Sequence, residues 1–311
     1  MTENILSSIT PLTASFPQPK NRSRMRVRDT HRWGIGKLYP SKQEFLDNPV
    51  SSGLHTIQAG NLLLDILVKN RGSGTTLIFF HASVTKSSTF PVLVGDGLAE
   101  AANANLISIS DPTLAYTDKL RLGWYIGVKP LGSFPNYAKS LLHHAVESLN
   151  TKRVILAGSS GGGYAAVNFS RFFSDAAVLC INPRLNLATR PTPKLGDFLV
   201  HAYKASGRTQ ISRLKATYVQ ENAADFYPEA LTNHIGILQN SGDTDYYQGQ
   251  FIPFCKALSP DPKLWTRTDG IGDGHVPYPK QILHTVVQNL ADLRCTVPEA
   301  YQKSGFQNHG D

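Results

Sequence analysis

The chain has 311 residues, of which 41% are hydrophobic and 17% charged, and its formal net charge is +8. This is the composition of a globular protein with enough apolar residues for a large core, and there is no internal repeat or low-complexity tract. No apolar run approaches the about 18–20 residues that a membrane-spanning helix requires. The three cysteines, Cys180, Cys255 and Cys295, are widely spaced and odd in number, which excludes a disulfide framework and a CxxC metal pair.

Residues 1–50 are polar, contain several prolines and show weak periodicity, so we expect an extension laid over a main domain of residues 51–311. Because the start lacks the basic and apolar regions of a signal peptide, we expect a cytoplasmic location. Basic residues cluster in this extension: Lys20, Arg22, Arg24, Arg26, Arg28 and Arg32. Such a cluster fits contact with nucleic acid or another anionic surface, or an arm that packs on the domain. The absence of interleaved aromatic residues favours the packed arm.

From residue 53 onward, strand and helix patterns alternate. The segment "LHTIQAGNLLLDILVKN" predicts a hairpin that turns near residues 59–61. Continuous apolar runs predict buried strands, and helical spacing predicts helices between them. The predicted strands are "TTLIFFHA", "NLISISDP", "RVILAG", "AAVLCINP", "HIGILQNSGDTD" and "KLWTRTDG"; the predicted helices lie near residues 95–104, 136–150, 162–173, 250–258 and 279–293. The alternation predicts an α/β fold with a mostly parallel sheet and helices on both faces, interrupted by a cap-like insertion at about 185–230.

The segment "RVILAGSSGGGY" places a glycine-rich turn between a predicted strand and a predicted helix. A phosphate-binding P-loop would need a lysine after the glycines, and Tyr164 and Ala165 stand there instead. A dinucleotide-binding turn would need G-x-G-x-x-G, which Gly158-Ser159-Ser160 does not begin. The segment does match G-x-S-x-G, with Ser160 as the serine. In that motif the glycines leave room for a nucleophilic serine on a strained strand-to-helix turn.

With this turn, the chain resembles the α/β-hydrolase superfamily over roughly residues 53–293. The resemblance implies a triad in the chain order serine, acid, histidine, with the partners after later strands. His275 follows the strand "KLWTRTDG", and Gly242-Asp243-Thr244-Asp245 follows "IGILQNSG". The family's frequent G-x-x-D spacing places the acid at Asp245. Asp243 is the alternative acid. The structural reading of this aspartate is a turn residue whose side chain bonds its own backbone.

The resemblance also implies an oxyanion hole. One donor is the backbone N–H of Gly161, and the second lies in "FFHASVT", at Ala82 or Ser83. His81 is expected either to hold that loop or to contact substrate. Trp124 and Tyr125 would either stack on a sugar or acyl chain, or fill the core.

The predicted function is therefore a serine hydrolase that cleaves carboxylic esters through an acyl-enzyme, on a small-molecule or glycan substrate. An O-acyltransferase or deacetylase acting on a glycan is an alternative within the same fold. A non-catalytic protein that binds through its basic arm is the alternative from another class. The sequence has no HExxH motif and no paired cysteines, and we expect no metal or other cofactor.

Overall fold

The computed structural model describes residues 25–191 and 195–310, and it is built around a ten-stranded mixed sheet. The strands are β1 (Lys37–Tyr39), β2 (Gly53–Ala59), β3 (Leu62–Lys69), β4 (Thr75–Phe80), β5 (Asn105–Ile109), β6 (Gly127–Val128), β7 (Gly132–Ser133), β8 (Arg153–Ser159), β9 (Ala177–Ile181), β10 (His234–Asn240), β11 (Asp261–Asp269) and β12 (Gln307–His309). The α-helices are α1 (Lys42–Leu46), α2 (Asp96–Ala101), α3 (Pro112–Tyr116), α4 (Phe134–Ser148), α5 (Gly161–Ser170), α6 (Leu195–Tyr203), α7 (Gly207–Tyr218), α8 (Thr244–Tyr246), α9 (Ile252–Leu258), α10 (Lys280–Ala291) and α11 (Val297–Lys303). Short 3₁₀-helices cover His31–Trp33 and Ala223–Phe226, and a π-helical turn covers Tyr247–Phe251.

The strand order across the sheet is β1-β2-β3-β5-β4-β8-β9-β10-β11-β12. The run from β5 to β11 is parallel, whereas β3 is antiparallel to β2 and β5, and β12 is antiparallel to β11. Strands β6 and β7 form a separate hairpin. This mostly parallel sheet confirms the predicted fold class. Because the carboxyl ends of parallel strands share one edge, the segments that follow β4, β8, β10 and β11 are brought together there.

The apolar runs of the central strands are explained by cores on both faces of the sheet. In β4, Ile78 and Phe80 pack into the core that contains α4 and α5, while Leu77 and Phe79 pack into the core that contains α2 and α10. Successive strand residues point to opposite faces, so a strand covered on both sides must be apolar throughout. Among the described residues, no helix combines the length and the apolar character needed to cross a membrane.

The described part of the predicted N-terminal extension is bound to the main domain. Strand β1 adds to the sheet edge beside β2, and Asp29 donates a backbone hydrogen bond to Phe90. Arg28 forms an ion pair with Asp65, and the Arg26 guanidinium donates to the carbonyls of Thr85, Lys86 and Leu120. These arginines are therefore used inside the fold, as in a packed arm. Lys20, Arg22 and Arg24 lie outside the described residues.

The predicted insertion lies between β9 and β10 and contains α6 and α7. Helix α7 buries none of its side chains, and Arg208 and Arg213 on it are exposed. Lys215 pairs with Glu221 at 2.8 Å. These basic side chains of α7 therefore lie on a solvated surface of the insertion. Lys194 lies outside the described residues.

Candidate active site

The turn between β8 and α5 holds Ser160 in a strained backbone conformation. Its φ of +51° and ψ of −118° fall in a region that non-glycine residues rarely adopt. The flanking glycines make this turn possible. A Cβ at Gly158 would lie 2.2 Å from the Gly162 carbonyl oxygen, and one at Gly162 would lie 2.3 Å from that of Phe80. Neither position can accept a larger residue without moving backbone, as the G-x-S-x-G motif predicts.

Ser160 is the residue that precedes helix α5, and its backbone is fixed on both sides. Its N–H donates to the Ile181 carbonyl at 2.9 Å, and its carbonyl accepts from the backbone N–H groups of Gly163 and Arg184. The hydroxyl is half-buried at the positive end of a ten-residue helix. Negative charge that develops beside Ser160 would be stabilised there by the helix dipole and by the backbone N–H groups of the first helical turn, which have no acceptor within the helix.

His275 is hydrogen-bonded to Asp243, the alternative acid, and not to Asp245, which the G-x-x-D spacing predicted. His275 Nδ1 lies 2.5 Å from Asp243 Oδ2, and Asp243 is buried. A carboxylate only accepts hydrogen bonds, so Nδ1 carries the proton and Nε2 is the basic nitrogen. Asp243 is also the N-cap of α8, where it accepts from the Tyr246 N–H. Starting the helix at Thr244 turns Asp245 outward, and its side chain is exposed.

Two buried asparagines hold the loop that carries His275. The Asn240 amide donates to the carbonyls of Gly272 at 2.7 Å and Gly274 at 2.9 Å. The Asn182 amide donates to the Val276 carbonyl at 3.0 Å, and its oxygen accepts from the Asn240 N–H. The loop is thus fixed immediately before and after His275. Neither asparagine was predicted from the sequence; the signal was an asparagine at the carboxyl end of each of two buried strands.

Tyr246 is a further side chain of the candidate site that was not predicted from the sequence. Its hydroxyl lies 3.3 Å from Ser160 Oγ, and its ring stacks on the His275 imidazole with centroids 4.0 Å apart. The ring is buried. Among the described residues Tyr246 is the side chain that hydrogen-bonds Ser160 Oγ, and no hydrogen bond joins Ser160 to His275. Tyr246 therefore contacts both residues of the predicted proton transfer.

The loop after β4, where Ala82 and Ser83 were predicted as oxyanion donors, runs beside the start of α5. A Cβ at Gly162 would lie 2.9 Å from the His81 carbonyl oxygen, which shows how closely the two segments approach. His81 is buried and fixes the loop: Nδ1 donates to the Ala82 carbonyl at 2.7 Å, and Nε2 accepts from the Asp111 N–H at 3.1 Å. Burial lowers the pKa of His81, which favours this neutral form.

The aromatic residues considered for substrate contact lie in the core. Tyr125 is fully buried, accepts from the His81 N–H and donates to the Ile109 carbonyl. Trp124 is buried against Phe198 of α6. Both ring nitrogens of His81 are hydrogen-bonded to backbone, one to Ala82 in its own loop and the other to Asp111 after β5. In this geometry Trp124 and Tyr125 fill the core, and His81 holds its loop.

The described residues include no group of three or more His, Cys, Asp or Glu side chains arranged to hold a metal ion. All three cysteines are unpaired and buried.

Comparison with known proteins bears on the fold of the chain. A family model described as an uncharacterised protein family, UPF0227, matches residues 112–244, and no curated protein matches the chain. The capsule O-acetyltransferase of Neisseria meningitidis serogroup A is 16% identical, with 78% of this chain and 96% of that chain covered and a TM-score of 0.58. An S-formylglutathione hydrolase from Agrobacterium tumefaciens is 12% identical, with 80% and 95% covered and a TM-score of 0.51. The resemblance to α/β-hydrolases is confirmed as a shared fold.

Proposed function

We propose that the protein is a serine hydrolase of carboxylic esters in which Ser160 is the nucleophile, His275 the general base and Asp243 the acid that orients it. One observation carries the proposal: the strained Ser160 turn lies at the same edge of the sheet as His275, which is hydrogen-bonded to the buried Asp243. Strain at Ser160 costs of order 1–3 kcal/mol, and such conformations concentrate at functional sites. The fold shared with a hydrolase and an acetyltransferase supports the same reaction class.

In the proposed reaction, Ser160 Oγ attacks the ester carbonyl and its proton passes to His275 Nε2. Asp243 holds the imidazole by Nδ1 and stabilises its positive form. The Gly161 N–H and one N–H of Ala82 or Ser83 hydrogen-bond the tetrahedral oxyanion, each donor contributing roughly 3–4 kcal/mol as in known cases. His275 then gives the proton to the departing alcohol, and water repeats the sequence to release the acid.

Hydrolysis is favoured over acyl transfer by the exposure of the base. The His275 side chain is 37% exposed, so water can reach it directly. A transferase must keep water from its acyl-enzyme while a larger acceptor binds. The burial of Trp124 and Tyr125 also removes the aromatic surface that suggested a sugar. The substrate class proposed is therefore a small-molecule ester, with a glycan ester acted on by an O-acyltransferase or deacetylase as the alternative.

Covalent labelling with a fluorophosphonate probe tests the proposal against a non-catalytic binding protein. We expect wild-type protein to be labelled and Ser160→Ala to be unlabelled, with equal melting temperatures for the two. Ser159→Ala is the matched control, since it removes the neighbouring hydroxyl and should retain labelling. Folded wild-type protein that takes up no probe, or a Ser160→Ala variant that is labelled like wild type, would exclude the proposed nucleophile.

A further inference from the structure

Tyr246 has contacts that the triad does not explain. Its hydroxyl lies 3.3 Å from the proposed nucleophile, its ring stacks on the proposed base, and its N–H donates to Asp243. The buried Arg184 lies over the same ring, with its guanidinium carbon 5.2 Å from the centroid. A tyrosine that merely filled space would need none of these polar contacts. The ring is fixed and the hydroxyl is aimed at the reacting oxygen.

The sheet order shows on which side of the reaction this hydroxyl lies. Ser160 follows β8; the loop with Ala82 and Ser83 follows β4 on one side, and Tyr246 and His275 follow β10 and β11 on the other. When Ser160 attacks, the carbonyl oxygen turns toward the backbone donors and the leaving oxygen turns toward the imidazole that will protonate it. Tyr246 therefore lies on the leaving-group side.

We propose that Tyr246 is a further catalytic residue, which donates a hydrogen bond to the leaving-group oxygen during acylation and to the incoming water during deacylation. This inference rests on the proposed function. In the free enzyme the hydroxyl is held by Ser160 Oγ. During acylation the Oγ–acyl bond forms and the bond from acyl carbon to leaving oxygen breaks. The serine proton goes through His275 to the leaving oxygen, while Tyr246 keeps its own proton and stabilises the charge that develops on that oxygen.

Arg184 positions this tyrosine. Its backbone N–H holds the Ser160 carbonyl at 2.9 Å, and its guanidinium donates to the Pro191 carbonyl while it lies over the ring. One residue thus joins the nucleophile turn, the start of the insertion and Tyr246. The ring is held from Arg184 and from His275, which leaves the hydroxyl little freedom to leave the site.

The inference is tested by comparing two acetate esters of different leaving groups. p-Nitrophenolate departs without help, whereas an alkoxide needs a proton or hydrogen-bond donor. In Tyr246→Phe we expect kcat/KM for an alkyl acetate to fall about 10-fold, the effect of one lost hydrogen bond, with a fall of less than about 3-fold for p-nitrophenyl acetate. Tyr246→Met, which also lacks the hydroxyl, should show the same selectivity. Tyr247→Phe is the matched control, because Tyr247 contacts Phe251 and lies outside the site.

Three outcomes overturn the inference. Equal losses on both esters would assign Tyr246 a structural role, and unchanged kinetics in Tyr246→Phe would assign it none. In both cases fluorophosphonate labelling of Ser160 in wild-type protein would leave the proposed function standing. Wild-type protein without Ser160 labelling would overturn the proposed function and the inference together.

Discussion

The two halves of the candidate site are built in different ways. The turn that carries Ser160 is local: Gly158, Ser160 and Gly162 lie within five residues, and the glycines leave the space that the strained serine needs. The His275 loop is assembled over long distances, because Asn182 lies 94 residues from the Val276 carbonyl that it holds. A turn built from neighbouring residues can be recognised as a sequence motif. A loop held by side chains from separate strands cannot, because each of those side chains is a single polar residue with no distinguishing pattern around it.

The largest difference is expected between the two aspartates of the β10 loop. Asp243→Asn should lower kcat/KM for an aryl ester by about 10³- to 10⁴-fold, because the amide favours the wrong imidazole tautomer. Asp245→Asn, on an exposed side chain in the same short segment, should remain within about 2-fold of wild type. Steady-state kinetics of both variants at neutral pH provide the measurement. A reversed order of the two variants would return the role of acid to Asp245.

Asn240→Ala tests whether the hydrogen bonds that hold the His275 loop affect activity beyond their effect on stability. Removing its amide leaves the Gly272 and Gly274 carbonyls without their donor, and a displacement of His275 by about 1 Å costs on the order of 10²-fold in rate. We also expect a loss of about 1–3 kcal/mol in the free energy of unfolding. Asn233→Ala is the matched control: Asn233 is equally buried and donates to the Ser170 carbonyl, away from the site.

The control should lose comparable stability and keep its kcat. Urea unfolding and ester kinetics on both variants check this. If Asn233→Ala lost as much kcat as Asn240→Ala, the lower activity would follow from destabilisation, and the scaffold role of Asn240 would be wrong.

The smallest expected effect is a change in stability on substitution in the turn that carries Ser160. Gly162→Ala places a Cβ 2.3 Å from the Phe80 carbonyl oxygen and should cost about 1–3 kcal/mol of stability through overpacking. Gly97→Ala is the control, since a Cβ at that helical position meets nothing within 4 Å. It should stabilise the protein slightly, by up to about 1 kcal/mol. Thermal unfolding measures both, and a Gly162→Ala variant as stable as wild type would show that the turn is less crowded than the structure has it.

The same difference between local and long-range structure explains which elements could be predicted from the sequence. Covered parallel strands such as β4 must be apolar throughout, so the sheet and its helices were predictable from apolar runs. Strands β1 and β12 were missed because each has three residues at a sheet edge, too few for a pattern. Helix α11 was missed as well.

Within the candidate site, Ser160 and His275 were predicted from the motif and from the strand order. Asp243 and Asp245 could not be separated, because which of them faces His275 depends on α8 starting at Thr244. Trp124 and Tyr125 were equally undecided: both have positive φ, which turns them into the core from a loop that looks accessible in the sequence. Tyr246 and the two asparagines act through partners on other strands, and such partners are fixed only by the three-dimensional fold.

The central claim is that an acyl group passes through Ser160. Rapid mixing with p-nitrophenyl acetate, acid quenching and peptide mass spectrometry test it most directly. The account predicts a burst of p-nitrophenol and an acetyl adduct on the peptide that contains Ser160, both abolished in Ser160→Ala. Ester turnover that persists in Ser160→Ala, or an adduct carried only by another residue, would contradict it.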